Sequence, residues 1–68
     1  MLVLNEYKNS INTYDIAVMD YCMSEVRVFR NVNTTDPEAW LEENDPDWND
    51  SECYYMSTQS GNLTVKDN

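Results

Sequence analysis

The sequence predicts a small α+β domain, with an antiparallel sheet of three to five short strands in roughly ββαβ order and one amphipathic acidic helix packed on one face. The first observation behind this prediction is the alternation of apolar and polar residues in the first half of the chain. The second is a well-marked helix start near the middle, followed by another strand-like run. At 68 residues the chain is long enough for one domain only, so residues 1–68 are treated as a single unit.

The beginning of the chain is apolar and turns polar over residues 1–8, and residues 9–12 are typical of a turn. Alternation of apolar with polar or small side chains then favours a strand over 14–21. A helical stripe also fits residues 11–22. The β-branched and aromatic side chains there favour the strand.

A second strand is expected over residues 25–32, after a short connection at 22–24. Val26, Val28 and Arg30 share one face of it, since alternate residues of a strand point the same way. This is the clearest strand pattern in the chain, and the short connection fits a mainly antiparallel sheet.

A helix is expected within residues 33–44. Thr35 or Asp36 can cap its first turn, and Thr35 with Glu38 fits a capping box. The helix should end before Pro46, because the residue that precedes a proline avoids the helical region. One face of this helix carries Pro37, Trp40, Leu41 and Asn44, and the opposite face carries Asp36, Glu38, Glu42 and Glu43.

The last part of the chain contains one more clear strand pattern, over residues 52–58. Residues 60–62 are typical of a turn. Residues 63–66 are expected to form either a short last strand or part of a frayed tail over 62–68.

Two cysteines, Cys22 and Cys53, are present without a CxxC pair. We expect two reduced thiols packed as small hydrophobic side chains. A disulfide stays open as an alternative, because it depends on whether the two Cα atoms come within about 7 Å. A zinc site needs four ligands, usually Cys or His, so none is expected.

Acidic residues dominate the charge of the chain: thirteen acids against four bases and no histidine give a net charge of -9. Nucleic acid and anionic membranes would both repel such a protein, so neither is expected as a direct partner. No run approaches the roughly 18 apolar residues of a membrane span. The first residues lack the basic segment and apolar run of a secretory signal. We therefore expect a cytoplasmic protein, either a monomer or a homodimer.

The excess of acid is concentrated in one stretch. Residues 36–52 contain eight acids and no base, whereas the other 51 residues carry a net charge of only -1. This arrangement does not stabilise the fold, because Glu38 and Glu42 repel each other across one helical turn. Glu42 and Glu43 also crowd the negative end of the helix dipole. Solubility is one explanation, since charge runs are most often solvated faces.

Imitation of nucleic acid is the other explanation. Duplex DNA carries one negative charge per about 1.7 Å, so eight carboxylates match the charge on about 14 Å of it. We expect this surface to occupy the basic nucleic-acid-binding groove of a host protein and to inhibit that protein by competition. Trp48, in a polar loop, is the expected aromatic anchor, whereas Trp40 is expected in the core. The partner-binding residues of this hypothesis are Asp36, Glu38, Glu42, Glu43, Asp45, Asp47, Trp48, Asp50 and Glu52.

A protein–protein adaptor or accessory subunit is the alternative function. It would bind through an aromatic patch or an exposed strand edge. Tyr54, Tyr55 or Phe29 would then supply most of the affinity, and binding would tolerate salt. A surface that imitates DNA would instead lose binding steeply as salt is added.

Catalysis and dedicated metal binding are not expected. Asp45, Asp47 and Asn49 have the opening spacing of an EF-hand calcium loop, but the sixth position is Asp50 rather than Gly and the twelfth is Met56 rather than Glu. The chain has no Gly-rich phosphate loop and no Ser/His or Cys/His pair. A domain of this size also has little room for a pocket of about 300 Å³. No enzymatic activity, metal or cofactor is therefore expected.

In size and composition the chain resembles small acidic phage-encoded inhibitors of host defence or of host nucleic-acid enzymes. The resemblance lies in the short length, the acidity and the low cysteine content. It implies a phage or mobile-element origin and an anti-defence role.

Overall fold

The computed structural model describes residues 13–67, which form one antiparallel sheet and a single helix. The first strand along the chain is central, and the second and third strands lie at the two edges of the sheet. The α+β class and the ββαβ order predicted from the sequence are confirmed, with three strands in the described part of the chain. The expectations for residues 1–12 lie outside the described residues. The elements are β1 (Thr13–Asp20), β2 (Glu25–Asn33), α1 (Pro37–Asn44) and β3 (Cys53–Gln59).

β1 and β2 form a hairpin closed by a turn at residues 21–24. Asp20 Oδ1 accepts hydrogen bonds from the backbone N–H groups of Cys22 and Met23, at 3.0 and 2.9 Å. Ser24 adopts a left-handed backbone conformation, with φ 55°. An aspartate side chain that bonds the backbone ahead of it stabilises such a turn. The strand predicted over residues 14–21 is confirmed by β1, and the helical alternative for residues 11–22 is wrong over its described part.

β2 carries a bulge where it passes Asp15. The pairing register shifts between Tyr14 and Ile16, so that Arg30 and Asn31 together oppose the single residue Asp15. Asn31 adopts φ 58°, a conformation that asparagine tolerates better than most residues. The bulge also interrupts the regular edge that β2 would otherwise present to solvent.

The helix α1 is capped at its start by Asp36, whose side chain accepts a hydrogen bond from the backbone N–H of Ala39 at 3.3 Å. Asp36 is therefore the N-cap, and the capping box expected from Thr35 is wrong. The helix ends at Asp45, whose backbone is extended with φ -101°. This agrees with the expected stop, because Asp45 directly precedes Pro46.

The core lies between α1 and one face of the sheet, which we call the inner face. Leu41 from the helix and Ile16 and Val18 from β1 have no exposed surface, and burying such side chains is the main stabilising contribution in a domain of this size. Val32 and Cys53 complete the buried cluster. Partly buried side chains pack around it, namely Tyr14, Phe29, Trp40, Trp48 and Tyr55.

The opposite side of the sheet, which we call the outer face, is left open at the hairpin end by the residues within 13–67, whereas at its far end Asp15 is buried and accepts a hydrogen bond from the backbone N–H of Gly61. Met19 of β1 is paired with Val26 of β2 and with Tyr54 of β3. These three side chains are 44%, 65% and 58% exposed. The described part of the chain therefore forms two layers, a sheet and a helix, and the thinnest dimension across the Cα atoms is 14 Å.

The two cysteines have different environments. Cys53 is buried in the core and Cys22 is exposed in the hairpin turn, and both thiols are free. The expectation of a small hydrophobic role thus applies to Cys53 alone.

The end of the described chain, residues 62–67, contains no strand. The short last strand considered for residues 63–66 is therefore wrong. The segment is held near the sheet by Arg30, whose Nη1 donates to the carbonyl oxygen of Leu63 at 3.2 Å. None of the helical structure within residues 13–67 has the length and apolar character of a membrane span.

Candidate functional site

Three carboxylates from the helix and from the loop after it converge at the surface, and we call them the acidic cluster. They belong to Glu38, Glu42 and Asp50, and one oxygen from each lies within 4.8 Å of the others. Glu38 and Glu42 lie one turn apart on α1, so they necessarily share a face. Asp50 is brought to the same face by the loop that returns towards β3. The sequence distance of eight residues between Glu42 and Asp50 is closed entirely by this loop.

The loop that brings Asp50 to the helix is fixed by its own hydrogen bonds. Asn49 Oδ1 accepts from the backbone N–H of Glu52 at 2.8 Å and from the hydroxyl of Ser51 at 3.1 Å. The backbone N–H of Cys53 donates to the carbonyl oxygen of Asn49 at 3.0 Å. Asparagine commonly organises turns in this way. The position of Asp50 between these anchored residues is thus set by the loop.

Local electrostatics oppose the acidic cluster. The last turn of α1 contains no basic residue, although a cation there would interact favourably with the helix dipole. Glu42 and Glu43 occupy that turn instead. The ion pairs within residues 13–67 involve Arg27 and Arg30 only, and none of them reaches a member of the acidic cluster. The cluster is therefore not neutralised by the described part of the chain.

Asp36, at the start of α1, adds a further carboxylate near the same side. The pKa of Tyr55 is raised, first because its hydroxyl is partly buried and then because Glu38 and Asp36 place negative charge near it. A phenol close to two carboxylates resists ionisation, since its own charge would be repelled. Asp36 also has a structural role, because its side chain caps the helix.

Glu43, Asp47 and Glu52 are all exposed and unpaired within the described residues. Glu52 lines an open surface groove of about 530 Å³ together with Tyr21, Ser51 and Tyr54. The groove is larger than the size of the chain led us to expect. It is open to solvent, and Glu52 is the one carboxylate in its lining, whereas acid–base catalysis by carboxylates uses a pair in a shaped cleft.

Asp45 requires a correction, since it was expected to face a partner and is only 4% exposed. Arg27 donates to its Oδ2 from Nε at 3.0 Å, and Arg27 Nη2 lies 2.8 Å from the same oxygen. Arg27 Nη1 also donates to Asp20 Oδ2 at 2.7 Å. Burial opposes the charge of the guanidinium, but these two carboxylates outweigh it and raise the pKa of Arg27. Asp45 therefore joins the helix end to the sheet and is not available to a partner.

Trp48 also lies elsewhere than expected. It is partly buried against the core, and its ring meets that of Tyr55 edge-on with 5.8 Å between centroids. Trp40 packs in the same manner on Phe29, with 5.3 Å between centroids. Both tryptophans thus pack against the edge of the core and are partly buried, and this position does not distinguish Trp48 from Trp40 as the expected anchor.

The acidic cluster is also the place where a divalent cation could be held, since three carboxylate oxygens meet there. Carboxylates suit Ca²⁺ and Mg²⁺, but Ca²⁺ takes six to eight oxygen ligands and Mg²⁺ needs six in near-ideal geometry. Three surface carboxylates supply only part of either set. Asp45, which would open an EF-hand loop, is committed to Arg27. We therefore assign no metal ion to the acidic cluster.

Two buried aspartates were missed by the reasoning from sequence. Asp15 and Asp20 on β1 are 1% and 2% exposed. Asp15 Oδ1 accepts from the backbone N–H of Asn31 at 3.0 Å, and its Oδ2 accepts from that of Gly61 at 2.9 Å. Asp15 thereby ties β2 and the turn after β3 to the central strand. These N–H donors lower the pKa of Asp15 despite its burial.

A signal for these aspartates was present in the sequence. Two acids lie within an apolar strand, and the next strand contains two arginines. A hairpin that turns at residues 22–23 places Val18 opposite Arg27. Extending that register places Asp15 opposite Arg30, and the two side chains do form an ion pair at 3.4 Å. Buried charges are rare unless they are paired, so this pattern predicts paired acids in the sheet.

Comparison of the chain with protein-family models, with curated proteins and with solved structures finds no match.

Proposed function

We propose that this protein is a non-enzymatic inhibitor whose acidic surface occupies the basic nucleic-acid-binding groove of another protein. The observation that carries the proposal is the acidic cluster, in which Glu38, Glu42 and Asp50 approach one another without a cation from the described residues. Uncompensated like charges at this spacing cost folding free energy. A cationic partner that binds these carboxylates would offset this loss of folding free energy, which would explain why they lie so close together.

The wider surface supports the same proposal. Asp36, Glu43 and Asp47 extend the negative charge beyond the cluster, and all three are exposed. The field of such a patch accelerates encounter with a surface lined by lysine and arginine. The proposed contact residues are those of the sequence hypothesis without Asp45, which is buried in its ion pair with Arg27, and without Trp48, whose ring packs on Tyr55.

The proposal includes a phage or mobile-element origin, an anti-defence role and action in the host cytoplasm. Its support is the composition, since a small chain with a net charge of -9 cannot itself bind nucleic acid by charge. A competitor of nucleic acid needs no cofactor and no metal, and the proposed activity requires neither.

A capture experiment with variants tests the proposal. The full chain is immobilised and exposed to a bacterial lysate that has been treated with nuclease, and bound proteins are eluted first with salt and then with duplex DNA. We expect a retained nucleic-acid-binding protein that duplex DNA displaces and whose affinity falls about tenfold between 50 and 200 mM salt.

The matched variants neutralise the same amount of charge in two places. The cluster variant combines Glu38→Gln, Glu42→Gln and Asp50→Asn, and it should lose the retained protein. The flank variant combines Glu43→Gln, Asp47→Asn and Glu52→Gln, and it should lose much less. Equal losses would mean that net charge alone acts, and full retention by the cluster variant would refute the proposal.

The adaptor alternative makes a different prediction for the same experiment. Of its three suggested aromatic anchors, Phe29 and Tyr55 pack against the core, and only Tyr54 is freely exposed, at 58%. An adaptor that uses this ring should lose its partner on Tyr54→Ala and keep it at high salt. The inhibitor proposed here should keep its partner in that variant.

A further inference from the structure

The outer face of the sheet carries a patch of large apolar side chains that no described residue covers. We call it the outer patch, and it consists of Met19, Tyr21, Val26, Tyr54 and Met56. Their exposed fractions lie between 44% and 65%. Single exposed apolar residues are ordinary on a protein surface, whereas a contiguous group on one sheet face marks an interaction site.

The strand register shows that the outer patch is contiguous. Met19 is the direct neighbour of Val26 on one side and of Tyr54 on the other. Met56 follows two residues after Tyr54 and therefore points to the same face. Tyr21 joins the patch at the hairpin end, where its ring meets that of Tyr54 edge-on at 5.7 Å. All three strands thus contribute to one surface.

Most charges of the described residues lie away from this patch, and Glu52 lies at its edge, where it lines a groove with Tyr21 and Tyr54. Asp15 and Asp20, the acids of the central strand, are buried and bonded to arginines. The acidic cluster belongs to the helix and its following loop, and the helix packs on the inner face. A cationic partner would find one carboxylate, that of Glu52, at the edge of the outer patch and none among its five side chains. A second copy of the same chain would present the same five uncharged side chains to it.

The area of the patch also suits a second copy. At about 150–250 Å² for a fully exposed large side chain, the exposed fractions of the five residues amount to roughly 500 Å² per chain. Two such faces bury roughly 1,000 Å² together, which is the lower limit for a specific interface. Two sheets that pack face to face lie about 10 Å apart and cross at about 30°, an arrangement that needs no backbone change.

We propose that the protein forms a two-fold symmetric homodimer in which the outer patches of two copies pack together. The arrangement buries the apolar sheet face of each chain and leaves both helices on the outside of the dimer. The two acidic clusters then point away from each other across four layers of structure. Repulsion between them is weak, because their separation exceeds the Debye length of about 8 Å at physiological salt.

The experiment measures the molar mass of the full chain by sedimentation equilibrium between about 1 µM and 1 mM, a range that spans moderate and weak affinities. We expect the mass to rise with concentration to twice the 8.0 kDa of one chain. Added salt should leave the dimer unchanged or strengthen it, because the contact is apolar and the acids of the two copies, including Glu52 at the edge of the patch, repel one another. A single-chain mass over the whole range would overturn the proposal.

A pair of matched variants locates the contact. Val26→Lys places a charge in the outer patch, and Val65→Lys places the same charge at an equally exposed valine in the chain end, at 57% against 65%. The dimer dissociation constant should rise at least tenfold in the first variant, because an apolar interface cannot solvate the lysine, and should stay unchanged in the second. Equal weakening in both variants would refute the assigned contact.

A third variant separates face-to-face packing from pairing of a strand edge. Met56→Lys lies on β3, at the sheet edge opposite to Val26 on β2. Packing of the outer patches predicts that both substitutions weaken the dimer, since both side chains point to the same face. Weakening by only one of them would indicate edge-to-edge pairing and would contradict the proposal. Far-UV circular dichroism confirms that each variant is folded, and exposed positions such as these tolerate lysine.

Discussion

The acids of this protein fall into two groups with opposite surroundings. Asp15, Asp20 and Asp45 are buried, and each accepts hydrogen bonds from an arginine and from backbone N–H groups. Glu38 and Glu42, like the nearby Asp50, lie at the surface and meet one another instead. The same functional group therefore stabilises the fold in one place and opposes it in the other. Net charge alone conceals this difference.

The difference follows from where the arginines lie. Arg27 lies on the inner face of the sheet, and its side chain is 12% exposed. Its charge is neutralised by ion pairs with Asp20 and Asp45. Arg30 pairs with Asp15 at the far end of the sheet. Within residues 13–67 no arginine is left for the helix or for the loop after it. Both arginines therefore pair with buried aspartates, and neither pairs with the exposed carboxylates of the helix and its following loop.

The largest effect is expected from removing the cation of the buried group. Arg27→Met keeps most of the side-chain volume but leaves Asp20 and Asp45 buried without their partner. Breaking a buried ion pair from one side typically costs about 3–5 kcal/mol, which is comparable with the whole stability of a small domain. We expect this variant to be unfolded, or nearly so, when measured by circular dichroism and urea titration at neutral pH.

A combined variant serves as the control for that prediction. Arg27→Met together with Asp20→Asn and Asp45→Asn removes the charges of both partners at once. Replacement of a complete buried ion network by neutral groups is often tolerated, so stability should recover in part. No recovery would mean that the packing of the arginine stem, rather than charge, holds this end of the sheet.

A smaller loss of stability is expected when the pH is lowered. The hydrogen bond from Arg27, followed by the N–H of Met23, lowers the pKa of Asp20 in the fold, and N–H donors lower that of Asp15. A carboxylate with a lowered pKa contributes stability above its unfolded pKa, near 3.8, and loses it as the pH falls through the folded value. Urea midpoints should therefore hold down to about pH 5 and drop below about pH 4.

The same titration distinguishes the two groups of acids. Asp20→Asn should flatten the acid-induced loss relative to its own stability at neutral pH, because one of the linked groups is gone. Asp67→Asn neutralises an exposed acid near the chain end and should leave the pH profile of the wild type unchanged. A steep profile that survives in Asp20→Asn would assign the acid sensitivity to other carboxylates.

Much of the fold could be predicted from local patterns. The alternation along β1 and β2, the cap at Asp36 and the stop before Pro46 each depend on a few neighbouring residues. The hairpin register even contained the pairing of Asp15 with Arg30. Sequence reasoning nevertheless treated all acids of residues 36–52 as one surface, because it counted charge along the chain.

The errors concern contacts between distant residues. Asp45 is buried because Arg27, eighteen positions earlier, reaches across from β2. Trp48 packs on Tyr55 because the loop folds back onto the sheet. The approach of Asp50 to Glu42 depends on the same loop. No local pattern reports such a return of the chain. The burial of Asp45, the packing of Trp48 on Tyr55 and the position of the acidic cluster therefore could not be derived beforehand.

The smallest effect, and the sharpest comparison, comes from two neighbouring glutamates. Glu42 and Glu43 both lie in the last turn of α1 and both oppose the helix dipole, but only Glu42 belongs to the acidic cluster. Glu43→Gln should stabilise the fold by about 0.3 kcal/mol through the dipole alone, and Glu42→Gln by about 0.5–1 kcal/mol because like-charge repulsion is relieved as well. Urea titrations at low salt measure the difference, and about 1 M salt should shrink it because the charges are then screened. Equal stabilisation of the two variants would show that the convergence of the carboxylates carries no energetic cost, and a cationic partner would then have no stored repulsion to relieve.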